Sequence, residues 1–221
     1  MAEMKLATFL LGFCPFLLAG CVSVTAPSGS GEGGDGRPRA ISTFHALSPE
    51  EIAELRSKGP AGLKEFLDAN AVTVDGLRWS HHLRVEPPGI VAFRASLDAV
   101  AKQRDASASG LFWYTDLEAA KAEAARTGRH ILSLRLLGNL DEEYSCANSR
   151  FFRTALYANA VVSDHLREHY VLHWKSVRPA PLVTIDMGDG RRIKRTITGN
   201  SIHYALDSDG TVLTWTCRAG C

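Results

Sequence analysis

An excess of either charge is missing from this chain: 25 lysines and arginines face 24 aspartates and glutamates, a formal net charge of +1. Such a balance sets up no overall field to attract a polyanion, which argues against nucleic acid as a partner. Long hydrophobic runs are equally scarce. The one apolar stretch near the start, residues 6–18, is too short to cross a bilayer and has the length of an export-signal core. Cysteine is sparse, with only Cys14, Cys21, Cys146, Cys217 and Cys221. The apolar fraction, 45%, is that of an ordinary globular protein.

The apolar run closes on Leu18-Ala19-Gly20-Cys21, which resembles the lipobox of bacterial lipoproteins. The resemblance implies cleavage after residue 20, acylation of the Cys21 thiol, and attachment of the mature chain to a membrane through that lipid. The leader departs from the usual export signal in carrying Glu3 beside Lys5, and the alternative is an ordinary secretory signal or a short anchor. Val22, where an aspartate commonly retains such proteins at the inner membrane, favours the outer one. Residues 21–40 include the glycine- and serine-rich run 28–36, too poor in apolar surface to offset chain entropy, and are expected to form a disordered tether. With Cys14 lost and Cys21 acylated, Cys146, Cys217 and Cys221 remain in a compartment where disulfides persist, an odd count. Cys217 and Cys221 are close enough in sequence for a small local disulfide.

Residues 41–110 read as a helical region. Ser48-Pro49-Glu50-Glu51 has the pattern of a capping box with proline in the first turn, Gly59-Pro60 breaks the helix, a second follows through Leu63, Phe66 and Leu67, and a third is expected over 92–104. From Leu111 to the end, strands alternate with helices. Thr115 and Glu118 suggest another capping box ahead of an alanine-rich helix ending near Gly128. Residues 131–137 form a strand with Leu132, Leu134 and Leu136 on one face. A helix opens near Cys146 and carries Phe151, Phe152, Ala155 and Leu156; another over 161–169 should bury Val161, Val162 and Leu166. The strand 171–177 completes a βαβ unit with a parallel pair. Two hairpins follow, 182–187 with 191–198 and 202–206 with 211–215.

This second half resembles a thioredoxin-like domain. The likeness rests on Trp113-Tyr114 ahead of the alanine-rich helix, Cys146 at the start of the helix after the first long strand, and the strand and turn from Gly199 to Gly210. It implies an α/β fold with a thioredoxin-like sheet and flanking helices, and thiol–disulfide chemistry at Cys146. The family's redox pair is here Cys146-Ala147-Asn148-Ser149, so Ser149 replaces the resolving thiol and can at most donate a hydrogen bond. Asp141, Glu142 and Glu143 just upstream weigh against a reactive thiol. Ser201, after Thr198-Gly199-Asn200, takes the place of the family's cis proline; a trans bond and a reshaped groove around Asn200 and Ser201 are expected. The chain as given also stops without the family's closing helix, which implies that this lineage lacks it or that the sequence is truncated.

Other strings compete. His165-Leu166-Arg167-Glu168-His169 matches the pattern of inverted zinc peptidases but leaves little chain for a further acidic ligand. His81-His82 lacks a partner pair, and Gly188-Asp189-Gly190 and Asp207-Ser208-Asp209-Gly210 read as turns. Arg191, Arg192, Lys194 and Arg195 read as a solvated basic strand. The expectation is therefore a lipid-anchored envelope protein, either a monothiol redox protein acting through Cys146 or a non-catalytic module that holds another envelope protein at the altered groove. Neither a metal nor a cofactor is implied.

Overall fold

A computed structural model describes residues 46–71, Val74, Leu77 and 88–217; Cys21, the tether, His81-His82 and Cys221 lie outside the described residues. The first helix, α1 (Pro49–Ser57), starts where the capping box places it. The Ser48 N–H donates to the Glu51 carboxylate at 2.7 Å and the Glu51 N–H to the Ser48 hydroxyl at 3.2 Å, a cap worth about 1 kcal/mol. Gly59 then turns with φ +64°, and a Cβ there would meet the Tyr114 hydroxyl at 2.8 Å. Helix α2 spans Pro60–Ala69 and α3 spans Pro88–Ala101. The latter is shifted towards the N-terminus from the expected range, because Lys102 leaves the helix in a left-handed conformation, φ 53°. A single turn, α4 (Ala106–Ser109), follows. Leu63, Phe66, Phe93, Leu97, Val100 and Phe112 close one core between these helices, with the Phe66 and Phe93 rings stacked at 5.2 Å.

Helix α5 (Leu117–Thr127) is capped by Asp116, which accepts the Ala119 N–H at 2.8 Å. This corrects the expected Thr115 cap: a carboxylate one residue later satisfies the same kind of orphan donor and adds full negative charge at the positive end of the helix. The chain enters β1 (His130–Leu137), crosses through α6 (Ala147–Phe151), a π-helical turn at Phe152–Leu156 and α7 (Ala160–His169), and returns in β2 (Tyr170–Arg178) parallel to β1. After the separate hairpin of β3 (Leu182–Asp186) and β4 (Arg192–Thr196), β5 (Ser201–Leu206) pairs antiparallel with β1, and β6 (Val212–Cys217) antiparallel with β5. The fold is thus mixed α/β, with a four-stranded mixed sheet in the order β2-β1-β5-β6 and a two-stranded sheet. Tyr114 adds an isolated parallel bridge to His173 in β2.

Strand alternation sorts the sheet's side chains into two cores. Leu134, Leu136, Leu172 and Trp174 pack with Phe152, Tyr157 and Leu166 from the crossover. Ile131, Val171 and Leu206 pack with Ala120 and Ala124 of α5, so the crossover covers one face and α5 the other. One expectation about α7 fails. Leu166 is buried and Val162 partly so, but Val161 is 79% exposed while Ser163 takes the inward place. The Asn159 side chain caps the helix by accepting from both the Val161 and Val162 N–H groups, and that start fixes the inward face at 162, 163 and 166.

Candidate functional site

The corner beside the C-terminal end of β1 gathers Cys146, Ser149, Asn200 and Ser201. Backbone bonds set the frame: the Cys146 N–H donates to the Leu137 carbonyl and the Ala147 N–H to the Thr198 carbonyl, both at 3.0 Å. Segment 198–201 therefore lies across the start of α6. Gly199 fits there because it has no side chain, since a Cβ would meet the Asn148 Oδ1 at 2.6 Å. Ser201 opens β5 opposite Leu136, and no peptide bond among the described residues is cis.

Cys146 is the N-cap of α6. Its Sγ accepts the Ser149 N–H at 3.4 Å and lies 3.4 Å from both the Ser149 hydroxyl and the Asn200 carbonyl oxygen. The Ser149 hydroxyl donates to the Cys146 carbonyl at 2.8 Å, so its one proton serves the backbone and not the sulfur. The thiol proton then has two acceptors, Ser149 Oγ and the Asn200 carbonyl. Cys146 and Ser149 each have 0% of their surface exposed, and Cys146 is the free cysteine found among the described residues. The acidic trio upstream is engaged elsewhere: Asp141 pairs with Lys102 at 3.2 Å, Glu143 with Arg104 at 3.7 Å, and Glu142 accepts from Asn139 at 2.7 Å.

Several residues of this corner carry no family motif in the sequence. Arg153, 3% exposed, pairs with Asp105 at 3.2 Å and donates to the Glu142 carbonyl and the Ser145 hydroxyl at 2.6 and 3.0 Å. Burial pulls its guanidinium below its ordinary range, with Asp105 opposing that shift. The Thr196 hydroxyl donates to the Ser145 carbonyl at 3.1 Å and ties β4 to the same loop. Tyr157 and His203 share a 2.7 Å hydrogen bond above Phe152; burial raises the Tyr157 phenol and lowers His203 to about 4. The Thr198 and Ser201 hydroxyls are buried without a hydrogen-bond partner. Only the helix-start position of Cys146 and the polar run 198–201 signalled this corner in the sequence.

The competing strings do not assemble into sites. The rings of His165 and His169 lie 4.5 Å apart on α7, and His169 approaches Glu168 at 3.7 Å. No group of three or more metal-ligating side chains converges among the described residues. Gly188 and Gly190 turn the β3–β4 hairpin with positive φ, and Asp207 and Asp209 fold onto the Thr211 N–H. Cys217 ends β6 opposite Ile202. No helix among the described residues is long and apolar enough to cross a membrane. Comparison with protein-family models, with curated proteins and with solved structures finds no match.

Proposed function

We propose that this chain is an exported, lipid-anchored envelope protein whose thioredoxin-like domain serves as a non-catalytic module that holds another envelope protein. The anchoring rests on the lipobox-like Leu18-Ala19-Gly20-Cys21. The thioredoxin-like reading is supported by the sheet: Tyr114 bridges the outer side of β2, the order continues β1, β5 and β6, and the two last strands run antiparallel. Cys146 then stands at the helix start that follows the central strand, the place the resemblance assigns to an attacking thiol.

The single observation that favours binding over redox chemistry is the enclosure of the Cys146 sulfur. Exchange requires in-line approach to a substrate sulfur, and a group with no exposed surface offers no such path. Its contacts make it a helix cap and a packing group, like most buried cysteines. The part of this corner that remains accessible is Asn200, which is exposed. One feature supports the second reading, a monothiol redox protein: the Ser149 N–H points at the sulfur, the geometry by which a helix start assists an attacking thiol.

Trapping in cells that express the protein separates the two. Wild type and Cys146→Ser are crosslinked in the envelope, and adducts are resolved with and without reductant. The binding module gives the same reductant-resistant adducts from both. A reducible adduct that vanishes in Cys146→Ser would establish the redox reading instead.

A further inference from the structure

The β3–β4 hairpin is amphipathic in an unusual way. Its register pairs Val183 with Arg195 and Ile185 with Ile193 on one face, and strand alternation adds Met187, Arg191 and Ile197 to that face. Ile185, Met187, Ile193 and Ile197 are 47%, 48%, 36% and 66% exposed, an apolar stripe with an arginine beside each end. The opposite face, where Thr196 is held to the Ser145 loop, carries Thr184, Asp186, Arg192 and Lys194, with Leu182 exposed at its far end. Four cations stand in β4 and its approach against the two carboxylates Asp186 and Asp189. Those carboxylates pair with Arg192 at 3.0 Å and Arg191 at 2.6 Å, and Lys194 and Arg195 enter no ion pair among the described residues.

We propose that this hairpin is a membrane-contacting finger, which lays the Ile185–Ile193–Ile197 face into the headgroup region of an anionic phospholipid bilayer while Arg195, on the same face, meets the lipid phosphates. An exposed apolar stripe beside an exposed cation is the combination by which peripheral elements bind anionic lipid. A protein partner for the same face would need an anionic group opposite Arg195 and a hydrophobic pocket for the isoleucines. A bilayer supplies both without further fitting. The proposal goes beyond the binding-module reading and takes from it only the setting, a membrane close at hand. One acyl chain gives marginal anchoring, so a second contact would set how long the protein stays on the surface.

The test uses the full chain with Cys21→Ser, so that acylation plays no part and its result is separate from the anchoring proposal. Co-sedimentation with phosphatidylglycerol/phosphatidylcholine vesicles at about 0.1 M salt, where surface charge is only partly screened, is compared for this parent and two variants of it. These are Arg195→Glu, and Ile185→Ser with Ile197→Ser. Residues 6–18 are common to all and set the baseline. Thermal midpoints matching the parent show that the variants are folded. Each variant is expected to lower partitioning about tenfold or more, with the charge variant's deficit shrinking at about 1 M salt. Equal partitioning of all three chains would overturn the proposal. So would equal losses on pure phosphatidylcholine, or substitutions that dissolve a dimer and leave vesicle binding unchanged.

Discussion

The Cys146 corner and the β3–β4 hairpin are joined by residues 197–200, yet each inverts the ordinary placing of side chains in the opposite sense. The corner buries polar groups: Arg153, Ser145, Ser149 and Ser201 have almost no exposed surface. The hairpin exposes apolar ones, with Ile185, Met187 and Ile197 about half in solvent or more. Buried polar groups and exposed apolar patches are the informative departures from a normal globular surface. The corner's polar groups are mostly hydrogen-bonded to one another and to the backbone, so they rigidify the junction of β1, α6 and β5. The hairpin's apolar groups have no comparable cover among the described residues, which leaves that face open to an outside partner. A closed polar junction and an exposed apolar face thus lie in two neighbouring segments.

The largest test of this contrast removes the buried cation. Arg153→Ala strands the Glu142 carbonyl, the Ser145 hydroxyl and the Asp105 carboxylate, and is expected to lower stability by about 3–5 kcal/mol in denaturant titration. Arg192→Ala, which breaks the exposed pair with Asp186, should cost no more than about 1 kcal/mol. Similar losses at the two positions would erase the distinction between corner and hairpin. Tyr157→Phe removes the bond to His203 and leaves a buried ring nitrogen unpaired, for an expected loss of about 1–2 kcal/mol. Ile185→Ser should leave stability within about 0.5 kcal/mol of wild type, as the side chain is already half in water.

Acidification gives an independent check. Burial holds His173 and His203 down to about 4, below the ordinary imidazole value near 6.5. Between those limits the unfolded chain binds more protons than the folded one, so stability is fully present above about 6.5 and is lost as pH falls towards 4. Asp98 acts in the opposite sense, because burial raises its carboxyl to about 6 and protonation there favours the folded state as pH falls below that value. Two rings outweigh one carboxyl, and the melting temperature is expected to drop between pH 6.5 and 4. His203→Asn should make that drop shallower; an unchanged slope would show that His203 does not contribute to it.

Much of the fold was legible because its signals are local. The Ser48 capping box, the Gly59-Pro60 break, the alternation through Leu132, Leu134 and Leu136 and the turn at Gly188-Asp189-Gly190 each act within a few residues. The helix expected to start near Cys146 does so. Other features depend on tertiary neighbours and leave no local trace. Arg153 looks like any helical arginine until Asp105 and the Ser145 loop close around it, and Val161 looks like a core residue until Asn159 fixes the phase of α7. The acidic trio before Cys146 suggested an electrostatic burden on the thiol, whereas Lys102 and Arg104, about 40 residues earlier, engage two of its members.

The central claim is that the Cys146 sulfur is closed off by the fold, and its alkylation rate in the intact chain tests that most directly. Labelling is followed on the Cys146 peptide by mass spectrometry across a denaturant series. Closure is expected to make the native reaction at least on the order of a hundredfold slower than that of the unfolded chain, accelerating only along the unfolding transition. Rapid native labelling that does not respond to denaturant would contradict it and return the site to redox chemistry.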